Sequence, residues 1–249
     1  GGKMNKKILF FYLVNVLLTV ILALTVGGIL QNSRGNELLS SLIIMVAVQL
    51  SPLITTLIFR KKYNEKKSYS YKLDKYSAMS IVFPIILVLL SSFILGLTGR
   101  HYVKSEYTGY LLIIGIILTI VGSVSEEIGW RGTLLSILED KYTAFTGSLF
   151  VGVFWGAWHF FKIMNVGFVG YVLFIPTVIM LSIFITYFYT KSKNNILNAI
   201  FYHVFFNISN LVLLFARESI QLYVTVLGVS IISLLSLFIY DRDYFKLKK

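Results

Sequence analysis

Cysteine is absent from the 249 residues, which excludes disulfides and thiolate chemistry while leaving the compartment open. Charge is scarce: 14% of residues are charged and only eleven are acidic. Histidine and proline occur three times each. What fills the chain instead is apolar, 57% hydrophobic with 16% aromatic, more than a soluble domain of this length can cover. The apolar residues come in long blocks, each near or beyond the ~20 residues needed to cross roughly 30 Å of hydrocarbon. These blocks predict an all-α integral membrane protein.

Eight spans are expected, near residues 8–30, 38–59, 78–98, 109–138, 145–163, 170–190, 195–215 and 219–240, with the least defined boundaries at 131–144 and 162–170. Gly1–Lys3 ahead of Met4 reads as a cloning remnant, and residues 4–249 as one polytopic membrane domain with a motif-bearing core at about 109–215. The first apolar run is too long for a signal peptide and lacks a small-residue cleavage site. Pro52, Pro84 and Pro176 fall inside spans, where kinks are tolerated.

The net charge of +12 does not point to nucleic acid, because the basic residues sit in short loops between apolar runs, as beside anionic headgroups. One face carries 17 of them: three in the N-terminal tail, seven from Arg60 to Lys75, Lys141, Lys191, Lys193 and four at the C-terminus. The other face has five, Arg34, Arg100, Lys104, Lys162 and Arg217. This asymmetry places both termini in the cytoplasm.

Nine of the eleven acidic residues fall in loops, tails or span ends. Only Glu126 and Glu127 lie deep in an apolar run, where burying a carboxylate costs several kcal/mol without a partner or a wet cavity. Glu127 and Arg131 are four apart and face each other on a helix, so they read as a structural ion pair. Glu126 points about 100° away and gains no such partner. An intramembrane carboxylate of that kind is a functional-site candidate. His101 belongs to an outer loop and reads as a surface residue, whereas His159 and His203 lie inside spans, and Asn207 follows His203 by one turn on the same face. Counted from a turn near residue 142, Glu126 and His159 lie at similar depth, and Gly152 and Gly156 permit close helix approach.

A carboxylate, two imidazoles and a carboxamide suit hydrolysis. The carboxylate takes a proton from water, an imidazole orients the water or relays the proton, and imidazole and amide donate to an oxyanion. Alternatively, Glu126, His159 and His203 could hold a divalent metal such as zinc, with water open to attack. No His-Glu-x-x-His, Gly-x-Ser-x-Gly or pair of separated span aspartates supports another intramembrane protease chemistry.

Glu126-Glu127-Ile-Gly-Trp-Arg131-Gly, Trp155-Gly-Ala-Trp-His159 and His203-Val-Phe-Phe-Asn207 resemble, in order, the three motifs of the CPBP family. These are the CAAX-protease and bacteriocin-processing intramembrane proteases, which include the type II CAAX prenyl endopeptidases. The resemblance covers about residues 120–210, and it departs from the family at Trp155, where a phenylalanine is usual. It implies an eight-helix membrane fold and an endopeptidase acting on a membrane-associated peptide or protein, of metallo- or glutamate type. It also implies Glu126, His159, His203 and Asn207 as the catalytic set, with Glu127, Arg131 and Trp155 in support.

The alternative is a non-catalytic membrane scaffold, regulator or bacteriocin-immunity protein on the same fold. A transporter is disfavoured, because no matching pair of broken helices occurs in two halves. The Lys-, Ile-, Asn- and Tyr-rich usage fits a bacterial source of low genomic G+C, where small secreted or signalling peptides are the expected substrates.

With no native cysteine, single-cysteine labelling tests the topology directly. Lys6→Cys and Lys248→Cys are expected to react with an impermeant maleimide only once the cytoplasmic face is opened, and Lys104→Cys from intact cells. Labelling of the two termini from opposite sides would overturn the eight-span count.

Overall fold

The computed structural model describes residues 2–31, 37–65, 69–98, 108–213 and 219–246. His101, Arg34, Arg100, Lys104 and Arg217 lie outside the described residues. The elements are α1 (Gly2–Gln31), α2 (Glu37–Gln49), α3 (Ser51–Tyr63), α4 (Lys75–Leu97) and α5 (Tyr110–Gly129), which runs on through a π-helical turn (Trp130–Leu135) into α6 (Ser136–Glu139). They continue with α7 (Ala144–Trp158), a 3₁₀ turn (Phe160–Lys162), α8 (Ile163–Lys191), α9 (Ile196–Leu213) and α10 (Ile220–Tyr240). Among the described residues, six helical stretches are long and apolar enough to cross a membrane; α7 and α9 are shorter apolar helices. The protein is an all-α integral membrane protein.

Two compact units emerge. The first comprises residues 1–69 and 106–137. Here α1 packs on α2 and α3, and α5 packs on the same pair. The α2–α3 stretch stays nearly continuous through Leu50, and Pro52 sits in the first turn of α3, where its missing N–H is harmless. Polar groups inside this unit bond to one another: Ser51 donates to Asn15 Oδ1 at 2.8 Å, and Thr19 lies 2.7 Å from Ser51. Glycine lets α5 come close. A Cβ at Gly122 would collide with the Gln49 carboxamide, and one at Gly129 with the Pro52 ring. Gly122, Glu126 and Gly129 therefore form one stripe, spaced by four and three, facing α2 and α3.

The second unit comprises residues 70–105 and 138–249, with α4 on α9, α7 on α8 and α10 against both α4 and α8. A Cβ at Gly152 would lie 2.7 Å from Ile179 Cα, so this glycine sets the α7–α8 approach. A polar knot ties the starts of α4 and α9. Asp74 caps α4 by accepting from the Tyr76 N–H at 2.9 Å, and Ser77 donates to Asn198 Oδ1 at 2.7 Å. Asn198 donates to Asp74 at 3.3 Å and to Ser192 at 2.6 Å. Asn195 caps α9 through the Leu197 N–H and donates to the Lys72 carbonyl, beside a parallel bridge between Ser70 and Asn195. This knot fixes the register of α9, and with it His203 and Asn207.

Two boundaries differ from those expected. The span placed at 145–163 ends early, since α7 stops at Trp158 and His159 forms its C-cap instead of lying inside a span. The span placed at 170–190 begins earlier as α8, but the helix breaks at Gly167, whose φ of 71° and ψ of 175° are open to glycine alone.

The Asp74 carboxyl is held below its ordinary value of 3.8: partial burial alone would raise it, but hydrogen bonds from Ser192, Asn198 and the backbone at Tyr76 and Ser77 outweigh that. A carboxylate depressed in this way stabilises the fold fully above its unfolded value and loses that contribution as pH falls through the folded one. Asp74→Ala is accordingly expected to lower stability by about 1 kcal/mol at pH 7. The gap should shrink below pH 3.8, as followed by unfolding of both proteins in detergent.

Candidate active site

Glu126, Glu127 and Arg131 belong to the first unit. Apolar periodicity continues α5 past both carboxylates, burying Glu126 at 1% exposure and Glu127 and Arg131 at 0%. Arg131 Nη1 donates to Glu127 Oε1 at 2.9 Å, the pairing that the four-residue spacing predicts. Arg131 stands on the π-helical turn, the widened type of turn that recurs at functional sites. Trp130, also on that turn, is fully buried and meets Phe11 edge-on at 6.1 Å.

Glu126 accepts a hydrogen bond from a neutral donor that the sequence did not reveal. Gln49, the last residue of α2, donates from Nε2 to Glu126 Oε1 at 2.8 Å. Gln49 is the residue that sequence reading missed. The available signal was a carboxamide in an apolar run, three residues before Pro52.

Trp155, His159, His203 and Asn207 belong to the second unit. Trp155 and His159 are consecutive turns of the α7 terminus, and His203 and Asn207 are consecutive turns of α9. The Trp155 ring packs against both imidazoles, 5.1 Å from His203 and 6.1 Å from His159. The tryptophan that departs from the family pattern thus occupies the position between the two histidines. Trp158 at 4.7 Å, Phe174 at 5.1 Å and Phe161 at 5.7 Å complete an aromatic surround for His159.

Ending a helix among apolar residues exposes carbonyls that need donors. Three are met here. The Trp155 carbonyl accepts from His159 Nδ1 at 2.8 Å, and the Tyr171 hydroxyl lies 3.3 and 3.2 Å from the Gly156 and Ala157 carbonyls. A carbonyl only accepts, so His159 Nδ1 carries a proton, and in the neutral ring Nε2 presents a lone pair.

Residues 108–209 match the family model for type II CAAX prenyl endopeptidases of the Rce1-like kind. Over this segment the chain is similar to Rce1-like endopeptidases. CAAX prenyl protease 2 of Methanococcus maripaludis is similar throughout, 24% identical over a gapped alignment of 267 positions that takes in 98% of this chain and 96% of that protein. The matched segment contains Glu126, Glu127, Arg131, Trp155, His159, His203 and Asn207. Gln49 lies outside it.

Arg131→Ala is expected to destabilise the protein by about 3–5 kcal/mol, because Glu127 stays buried without its guanidinium. Thermal unfolding in detergent measures this. Arg131→Ala with an unchanged melting temperature would remove the ion pair's structural role.

Proposed function

We propose that this protein is an intramembrane endopeptidase that hydrolyses a peptide bond in a membrane-associated peptide or protein. The observation that carries the reading is that the segment matching the Rce1-like family model holds a buried carboxylate, Glu126, on α5 and two imidazoles packed on one tryptophan. Glu126 is the general base that takes the proton from the attacking water. His159 accepts from that water through Nε2 and orients it. His203 and Asn207, one turn apart on α9, donate to the oxyanion, which a neutral His159 whose only N–H is directed at the Trp155 carbonyl cannot do.

The same donors suit a divalent ion such as zinc: metal-ligating histidines are commonly held by a hydrogen bond from the other ring nitrogen, as His159 is. Glu126, His159 and His203 are the residues that would hold it, and the ion would supply a water of lowered pKa. Among the described residues, neither unit by itself gathers three His, Asp or Glu side chains into a ligand cluster. Substrate approach is from the membrane, with both termini cytoplasmic. The relative's name makes a prenylated peptide ending in a CAAX sequence the first probe, and small secreted or signalling peptides from a bacterial source the second.

The test is cleavage by purified protein of prenylated and unprenylated peptides. Glu126→Ala, His159→Ala and His203→Ala are each expected to abolish cleavage with melting behaviour retained, and Asn207→Ala to slow it roughly 10²–10³-fold. Chelation followed by metal analysis separates metal-assisted from glutamate-only activation. Wild-type rates in Glu126→Ala would reject the assignment. A cell phenotype that survives all three substitutions would favour the scaffold or immunity role.

A further inference from the structure

Gln49 makes a hydrogen bond whose geometry goes beyond packing. Its carboxamide sits at the end of α2, in an apolar run where a buried amide costs free energy unless both ends are bonded. Only one end is. Nε2 donates to Glu126 Oε1 at 2.8 Å, while Gln49 Oε1 is buried with no hydrogen-bond partner among the described residues. An amide kept for stability alone would satisfy its oxygen as well. This one is satisfied only where it meets the carboxylate.

The surrounding backbone is shaped to deliver it. Gly122, one turn before Glu126 on the same face of α5, leaves the space that the carboxamide fills, and a Cβ there would strike Gln49 Oε1. Gly129, on the other side of Glu126 along that face, seats against Pro52 three residues after Gln49. The α2–α3 stretch is thus pressed onto α5 both before and after Glu126. A contrast with the neighbouring carboxylate is informative. Glu127 is bound by a cation, Arg131 at 2.9 Å, whereas the donor from α2 to Glu126 is neutral. A neutral donor fixes the plane of a carboxylate without cancelling its charge.

We propose that Gln49 is a positioning residue for Glu126, holding one carboxylate oxygen so that the group faces the water it deprotonates. This rests on Glu126 acting as the base.

The experiment uses the full chain and whichever probe, the prenylated CAAX peptide or its unprenylated counterpart, the wild type cleaves faster. Gln49→Met keeps the side-chain volume and removes the donor. It is expected to lower kcat roughly tenfold to a hundredfold, the usual cost of losing an orienting partner, with KM and melting temperature little changed. Gly122→Ala reaches the same bond from the other helix and is expected to reproduce the kcat loss by displacing the carboxamide. In a Glu126→Gln background, Gln49→Met is expected to add nothing, since it acts through that carboxylate. Wild-type kcat in Gln49→Met would overturn the proposal, as would a rise in KM alone or a loss that merely tracks a lower melting temperature. The two readings fail separately. A fully active Glu126→Gln removes the base assignment itself, whereas an inactive Glu126→Gln beside a fully active Gln49→Met removes only the role of Gln49.

Discussion

Arg131 and Glu127 face each other across 2.9 Å with neither side chain exposed, and much of the first unit follows from that pair. Two adjacent carboxylates in an apolar helix are costly, and a guanidinium one turn away neutralises one of them where desolvation is nearly complete. Breaking such a pair is far more costly than keeping it, so the pair pins the turn on which it sits. That turn is the π-helical one, and its tryptophan reaches α1 through Phe11. The second carboxylate is then held by a different kind of bond. A single hydrogen bond to a charged group contributes about 1.5–3 kcal/mol, less than the pair next to it. One glutamate is locked, and its neighbour is aligned.

In the second unit the governing constraint is the backbone. α7 ends among apolar residues, so its last carbonyls draw on the His159 ring and the Tyr171 hydroxyl. The Nδ1 donation of His159 is therefore a by-product of helix termination. At the far end of the unit, the Asp74–Asn198–Ser192 knot sets where α9 begins, which in turn decides how far along it His203 and Asn207 stand.

Much of this was legible in the residues. Long apolar blocks predicted the helices, because a bilayer admits few alternatives for a continuous hydrophobic run. The spacing of Glu127 and Arg131 predicted their pairing, since i and i+4 groups share a helix face. The end of α7 at Trp158 was not visible: hydropathy averages over about twenty residues and carries the apolar signal straight through a 3₁₀ turn made of Phe160, Phe161 and Lys162. The ill-defined boundary near 162–170 did bracket Gly167, where the chain takes a conformation that only glycine tolerates. Gln49 escaped for another reason. It meets Glu126 across 77 positions of sequence, and no local period encodes such a contact. Its trace lies in Gly122, whose bareness makes sense only once the opposing carboxamide is in place.

The brevity of α7 has a consequence for the lipid around it. Fifteen residues give a rod of about 22 Å at 1.5 Å per residue, well short of the roughly 30 Å of hydrocarbon in an ordinary bilayer. The deficit must be made up by headgroups and water dipping toward the helix end or by other parts of the chain standing in for acyl tails. A local dent in one leaflet would bring moisture to an imidazole at the helix end that a full-length helix would keep dry.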